Sequence, residues 1–550
     1  MDNIKFIFFI LIYLFPNLIA AQNKKNIKAE INKLYEVNEN EAGFSIAVFK
    51  GDSIILERQY GNANLDYDIP ITEKTVFDIG SIAKQFTAAA ILLLEEEKKL
   101  SIKDPVYKHI DNFPRYKKGD PTIEHLLNQT SGIKEIDPYL GVIDITFRDL
   151  ITQSQLLNIA TKIDELYFTP GEYFYYSNIN YILLASIIEK ISGKSYSEYL
   201  QEAIFNPLEM KNTVVNTSTY NTIKNRAIGY TEDEGEFYKT HQYSLFYVGD
   251  GQILTTPRDI FKWHQNLRKS IIGTPSLWKK MHTKAKLNDG TAINYGLGVE
   301  FETHNSWEAN GFDGMITSGF VSKYLYFPAL DIAFFTTQNT FDWDFRERFF
   351  QFVDLYVPSK KTEIQLSKYY KKIKLSKDEL KKYEGNYLFY YNDEDRKANA
   401  VKLMDDKLKV LTLDGDEIAP LIPVGNHKFL FGEDGDAILE FDLDNNLYTY
   451  DDFENEKPWV FNKFQPYEHS SEELKEFEGE YFSSKFQISK KIVFEDKKLL
   501  FYYRNGAWKE ELGSLTKDVL EISISPIEFV RNSESEIIGF TLMDIFFKKI

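Results

Sequence analysis

A serine one helical turn before a lysine, Ser-x-x-Lys, can supply a nucleophile and the group that takes its proton. The chain carries that spacing four times, at Ser81–Lys84, Ser131–Lys134, Ser276–Lys279 and Ser514–Lys517. Tyr-x-Asn, which can add an acid/base phenol and an amide contact, also occurs four times, beginning at Tyr60, Tyr176, Tyr390 and Tyr503. In a chain rich in Lys, Tyr and Asn most such matches are accidents, so context must select. Only Ser81 combines a preceding glycine, Gly80, that permits a sharp entry, a following apolar stretch (QFTAAAILLL) suited to a buried helix, and Lys84 on the same helix face. At a helix N-terminus the free N–H groups and the dipole favour a developing negative charge. A lysine held beside it in a partly dry site loses basicity, because desolvation disfavours the ammonium form, and can then accept the serine proton. The bland alternative is an ordinary helix cap next to a solvated lysine. Spacing alone favours that alternative; the glycine and the apolar helix reverse the preference.

The segment TVFDIGSIAKQFTAAAILLLEEEKKLSIKDPV resembles the nucleophile helix of the serine β-lactamase and penicillin-binding-protein superfamily. More narrowly it is similar to the class C β-lactamase-like branch, which includes esterases and D-aminopeptidases. Three further blocks agree in order: TIEHLLNQTSGI (122–133), FTPGEYFYYSNINYILLASIIEKISGKSY (168–196) and GDGQILTTPRDIFKWHQNL (249–267). The resemblance covers roughly residues 40–340. It implies that Ser81 is the acylated nucleophile, Lys84 its proton partner, Tyr176 a second acid/base group and Asn178 a substrate-amide contact. A phenol with a pKa near ~10 acts as a base only where positive charge stabilises the phenolate, and Lys84 could supply that charge. Which of the two takes the first proton stays open. The branch expects Lys-Thr-Gly or His-x-Gly on a strand beside the nucleophile. Here NGFDGMITSGF (310–320) puts Phe312 where His or Lys is usual, keeps Gly314 where backbone must approach substrate, and makes the Met315 N–H the implied second oxyanion donor. A rival register uses Thr317-Ser318-Gly319. Phe312 removes a partner for a substrate carboxylate, which argues against a β-lactamase. It also leaves a second reading, a binding protein that keeps the fold with impaired catalysis.

The elements that must position these residues follow from periodicity. Phe44–Lys50 and Ile54–Tyr60 around Gly51-Asp52 predict a hairpin. Phe77–Leu94 predicts a helix, as do Tyr181–Ile191 and the stretch opened by Thr256-Pro257-Arg258-Asp259. Strand patterns return between Tyr295 and Gln338, and Phe345–Tyr356 reads as a helix. Strands at both ends of a helical middle predict one sheet built from the two ends of a domain. Beyond a Lys-rich link, LKKYEGNY (380–387) is echoed by LKEFEGEY (474–481). Each copy is long enough for a small β-barrel, although a single sandwich shared by both copies remains open. The expected organisation is a signal peptide (1–21), an α/β (α+β) β-lactamase-like catalytic domain with antiparallel sheet and helical subdomain (22–358), a linker (359–374), and two small all-β, lipocalin-like barrels (375–466 and 467–550). The composition shift at the link predicts that few contacts cross it, so that residues up to Pro358 fold alone.

Lys5, the apolar run Phe6–Phe15 and the small residues Ala20 and Ala21 form a secretory-signal pattern, too short for a spanning helix. Localisation is therefore expected to be exported, periplasmic or secreted, with no stable membrane span after signal removal. The chain has 550 residues, no cysteine and a formal charge of −18. Thiol catalysis is excluded, and nucleic acid is not expected as a partner because phosphate binding needs a basic surface. The eight histidines show no ligand spacing; no metal and no cofactor are expected. The expected partner is a small-molecule or short-peptide substrate, with the oligomeric state open. The expected function is a serine hydrolase acting on an amide or ester bond through a Ser81 acyl-enzyme, of peptidase or esterase type.

Overall fold

The computed structural model describes residues 27–550 apart from 39, 147–148, 241–244, 317, 343, 360–369, 390–397, 413–414, 426, 433–436, 452–458, 504–505 and 523–524. The signal-peptide pattern and most of the Lys-rich link lie outside the described residues. The chain divides into two compact units, Met1–Ile102 with Leu184–Lys284 and Tyr295–Glu363, and Lys103–Leu183 with Ala285–Asn294 and Ile364–Ile550.

In the first unit the two ends of the expected domain do build one sheet. Strands β1 (Phe44–Lys50), β2 (Ser53–Tyr60), β3 (Glu300–His304), β4 (Trp307–Ile316), β5 (Phe320–Phe327) and β6 (Ile332–Gln338) pair antiparallel in the order β3-β4-β5-β6-β1-β2. The central strands are buried along nearly their whole length because both faces are covered, although they carry polar residues such as Ser45, Ser322, Lys323 and Thr336. On one face Phe44, Ile46, Val48, Phe327 and Phe334 pack with Phe349, Phe352 and Val353 of helix Phe345–Asp354. On the other, Phe49 meets Phe261 and His264 of helix Pro257–Lys269. That second helix starts as its sequence predicts, with Thr256 Oγ1 accepting the Asp259 N–H. The expected helix at 77–94 begins later. Phe77–Asp78 is a short strand paired with Ile253–Thr255, Gly80–Ile82 is a 3₁₀ turn, and the α-helix runs from Ala83 to Glu96. Eleven of its fourteen residues are buried, so it is a core helix rather than a surface one.

In the second unit the C-terminal repeat forms two barrel-like sheets. Strands from Gly385–Phe389 to Trp459–Phe464 close an eight-stranded barrel. Strands from Gly479–Ser483 to Ile545–Lys549 make a nine-stranded, nearly closed sheet. The repeat is physical as well as textual. Ser376 with Glu379, and Ser470 with Glu473, form capping boxes. Tyr387 Oη then donates to the Tyr383 carbonyl, and Tyr481 Oη to that of Phe477. Lys463 and Lys549 each lie over the ring of that tyrosine at 5.6 Å. The first barrel is filled by its own rings, with Tyr387 on Tyr448 at 4.9 Å and Tyr448 stacked on Phe461 at 4.6 Å. Among the described residues these rings pack as a core.

Contacts do cross from the C-terminal β domains to the chain before the Lys-rich link. Within the second unit the last barrel packs on the segment 134–164. Lys490 Nζ reaches Asp144 at 2.5 Å with its side chain wholly buried, Lys485 pairs with Asp164 at 2.6 Å, and Tyr139 Oη donates to Asp544 at 2.5 Å. A buried ion pair left without one partner typically costs ~3–5 kcal/mol. A chain ending at Pro358 is therefore expected to melt well below the full chain, with a broadened transition. An unchanged melting profile by calorimetry would restore the independence of the two parts.

Candidate active site

Ser81 lies in the 3₁₀ turn between the strand Phe77–Asp78 and the buried helix. The preceding residue carries the geometry. Gly80 has φ +52, and a Cβ placed on it would lie 2.9 Å from the Met315 nitrogen. Reciprocally, a Cβ on Gly314 would fall 2.0 Å from the Ile79 carbonyl and 3.4 Å from the Ser81 nitrogen. Neither position tolerates a side chain. Strand β4 therefore approaches the turn backbone to backbone, and the amides of Ser81 and Met315 border the same narrow gap. Two N–H groups so placed are what a developing oxyanion requires. The Met315 side chain itself is exposed.

Lys84 is fully buried, and its Nζ lies 3.0 Å from Ser81 Oγ and 3.0 Å from the Asp250 carbonyl. One turn further along the same helix face, Thr87 Oγ1 donates to the Gly249 carbonyl at 2.6 Å and lies 2.6 Å from Tyr196 Oη. Thus helix Ala83–Glu96 is tied to the 249–250 loop by two side chains on one face, and the lysine amine is held against the serine. On the opposite side Gln85 accepts from Trp263 Nε1 at 3.0 Å, and Phe86 packs on the Trp263 ring. Phe312 is buried on the face of β4 that also carries Gly314, edge-on to Tyr295 at 5.9 Å. In the rival register Thr317 lies outside the described residues.

In the second unit Tyr176 is half-buried in the loop before helix Asn178–Ser192. Gln129, buried with φ +61, holds that loop on both sides of Tyr176: its carbonyl accepts the Tyr175 N–H at 2.8 Å, and its side chain accepts the Ser177 N–H at 3.1 Å. The Asn178 N–H is taken by the Glu135 carboxylate at 2.5 Å. That places negative charge at the helix start, where the dipole favours it. The competing Ser-x-x-Lys matches dissolve here. Ser131 Oγ donates to Asn180 at 2.7 Å while Lys134 turns to Asp544, and Ser514 Oγ is engaged with His469.

Several residues that shape the site were not singled out from the sequence. Asp78 Oδ1 accepts the Gly80 N–H at 3.1 Å and so fixes the turn; its place two residues before the glycine was the available signal. Asp250 lies in a motif block, but nothing in the chain order tells that its carbonyl meets Lys84. Glu135 and Gln129 give no signal without the fold. Among the described residues no cluster of three or more His, Asp or Glu side chains could hold a metal ion, and no helix is long and apolar enough to cross a membrane.

The Beta-lactamase family model matches residues 25–354. The chain belongs to that family. Among curated relatives it is 34% identical over 259 residues to "Protein flp" of Staphylococcus aureus (strain MW2), covering 46% of this chain and 49% of that protein. It is 29% identical over 289 residues to "Penicillin-binding protein 4*" of Bacillus subtilis (strain 168), covering 50% and 63%. The matches thus span about half to under two thirds of those relatives' lengths. The octameric penicillin-binding protein homologue from Pyrococcus abyssi shares the fold at a TM-score of 0.54 and 24% identity, over 80% of this chain and 100% of that one.

Asp78 gives the site a pH signature. Burial pushes its carboxyl up to about 7, against the Gly80 N–H and the Arg226 charge, with Asp250 adding to the rise. A raised folded-state pKa means that the folded chain binds this proton more tightly than the unfolded one. Its stabilising effect is complete below about pH 4 and is lost as pH rises through about 7. Asp78→Asn keeps an acceptor for the Gly80 N–H and removes the titration. Denaturation followed from pH 4 to 8 is expected to show the natural protein losing on the order of 4 kcal/mol relative to the variant. Parallel stability curves would rule the effect out.

Proposed function

We propose that the protein is an exported serine hydrolase that cleaves an amide or ester bond of a small or short-peptide substrate through an acyl-enzyme on Ser81. The observation that carries this reading is the 3.0 Å contact between Ser81 Oγ and the buried Lys84 amine beside a two-amide gap. Ser81 Oγ gives its proton to a basic group, a role the family pattern divides between Lys84 and Tyr176, and attacks the carbonyl carbon. The carbonyl oxygen takes the negative charge against the Ser81 and Met315 N–H groups. Collapse expels the amine or alcohol, which recovers the proton, and water then attacks the acyl ester to free Ser81. A lysine withdrawn from water is one whose neutral form becomes accessible, which supports its part in the first transfer. Asn178 is assigned to the substrate amide on the family pattern. The signal-like N-terminus supports export.

Phe312 sets the expected preference. An apolar ring stands where the family places a cation or donor, so a substrate carboxylate finds no partner there. An unpaired buried polar group typically costs ~1–3 kcal/mol, which is about tenfold to hundredfold in binding. Neutral esters and amides are therefore expected to be turned over better than penicillins.

A fluorophosphonate should label the protein once, at Ser81, with the modified peptide identified by mass spectrometry. Lys84→Ala and Tyr176→Phe are expected to slow that labelling ~10²–10⁴-fold without loss of fold. Labelling at Ser131, Ser276 or Ser514 instead, or full rates in both variants, would defeat the mechanism. For specificity, kcat/KM is compared for substrate pairs with and without a carboxylate. Phe312→His is expected to move the preference toward the carboxylate, and a natural protein that already prefers it would remove Phe312 from the role.

A further inference from the structure

The last hairpin of the chain turns in two residues, Met543 and Asp544, between strands Ile537–Leu542 and Ile545–Lys549. Both turn residues have positive φ, +57 and +72, as a tight right-twisting hairpin requires. Hairpin tips are ordinarily solvated and carry glycine or asparagine. This one is covered instead, with Met543 2% exposed and the Asp544 side chain 11% exposed. What it meets lies in the same compact unit. Asp544 Oδ1 accepts from Tyr139 Oη at 2.5 Å, and Oδ2 lies 3.4 Å from Lys134 Nζ.

Lys134 and Tyr139 flank the residue that caps the Tyr176 loop. Glu135, next in sequence to Lys134, gives one carboxylate oxygen to the Ile136 N–H at 2.7 Å and the other to the Asn178 N–H. The Lys134 ammonium also lies over the Tyr167 ring at 5.3 Å, and the Tyr167 N–H is held by the Gly132 carbonyl. Two more contacts fix the same stretch: Lys490 to Asp144, which itself has φ +64, and Lys485 to Asp164. The docked turn sets a carboxylate 3.4 Å from a buried ammonium that is next in sequence to the capping carboxylate.

We propose that Asp544, at the tip of the last β-hairpin, is a positioning residue that acts through Lys134, Tyr139 and Glu135 to hold the loop bearing Tyr176. The proposal rests on the reading of Tyr176 as an acid/base group, and it makes the second C-terminal barrel a working part of the enzyme.

The test uses the full chain with Asp544→Ala, Asp544→Asn and Tyr139→Phe. Hydrogen exchange of the peptides covering 172–180 is read together with the rate of Ser81 acylation by a fluorophosphonate across pH. In Asp544→Ala the 172–180 amides are expected to exchange at least tenfold faster while the strands of the barrel stay protected. Acylation is expected to fall at least tenfold with an altered pH profile. Asp544→Asn, which keeps the Tyr139 hydrogen bond but not the charge, is expected to fall between the two, and Tyr139→Phe to show the smallest effect. Unchanged exchange at 172–180 in a folded variant, or exchange raised evenly over the whole barrel, would overturn the proposal. Should Asp544→Ala fail to fold, Asp544→Asn and Tyr139→Phe carry the same decision. If the natural protein is not acylated at all, the hydrolase reading has failed, and the exchange data still decide whether the hairpin braces the loop.

Discussion

The first compact unit depends on two backbones touching without side chains between them. Gly80 and Gly314 face each other across a distance that a single Cβ on either would violate, and this contact puts the Ser81 and Met315 amides on one gap. Everything around it serves to keep the approach. Asp78 pins the turn through the Gly80 N–H. The short strand Phe77–Asp78 is held by Ile253–Thr255. Strand β4 is fixed from its far side, where Lys323, with its side chain 2% exposed, pairs with Asp313 and Glu302, and Arg346 joins the same two carboxylates. A shared network of this kind resists sliding of the strand more than any one surface pair could.

How the serine acquires its partner follows from the same packing. A helix with eleven of fourteen residues buried has no face free for a solvated lysine, so Lys84 must find its contacts inside. Two of these are the Ser81 hydroxyl and the Asp250 main-chain carbonyl, each 3.0 Å from Nζ. In the other three Ser-x-x-Lys pairs the serine is placed differently. Ser276 is exposed, Ser514 turns to His469, and Ser131 is buried but serves as a bridge to Asn180. The spacing is common, and Lys134 is buried as well as Lys84; what marks the first pair is the 3.0 Å contact between its buried amine and its serine oxygen.

That distinction was legible in the sequence because it is local. Glycine before the serine, an apolar run after it, and a lysine one turn on all sit within a dozen residues. The hairpin of β1 and β2, the closing strands and the sheet joining both ends of the domain were legible for a similar reason, since each rests on runs of β-prone residues and turn pairs. The start of the helix that follows Ser81 was not. Phe77 and Asp78 have the composition of a helix N-terminus, yet tertiary pairing with Ile253–Thr255 drew them into a strand, and a positive φ at Gly80 delayed the helix to Ala83. Asp250, Glu135 and Asp544 were illegible because their meaning lies in partners up to hundreds of residues away. An isolated carboxylate in a chain with 83 acidic residues gives no cue to which ones are buried against a lysine or an amide.

The two C-terminal copies show the same logic at domain scale. Both retain the capping box, the tyrosine that donates to the carbonyl four residues back, and the lysine over its ring, so the frame of the duplicated unit is set by interactions within each copy. Two-residue turns with both residues at positive φ and no glycine recur in both copies, at Asp405-Asp406 and Asp496-Lys497, and these are exposed. The last turn of the second copy, Met543-Asp544, is a contact in its own right, with a methionine buried and an aspartate seated between a tyrosine and a lysine. Internal packing thus accounts for what the two copies share. What they do not share falls where one copy alone, within its own compact unit, reaches the segment that caps the Tyr176 loop.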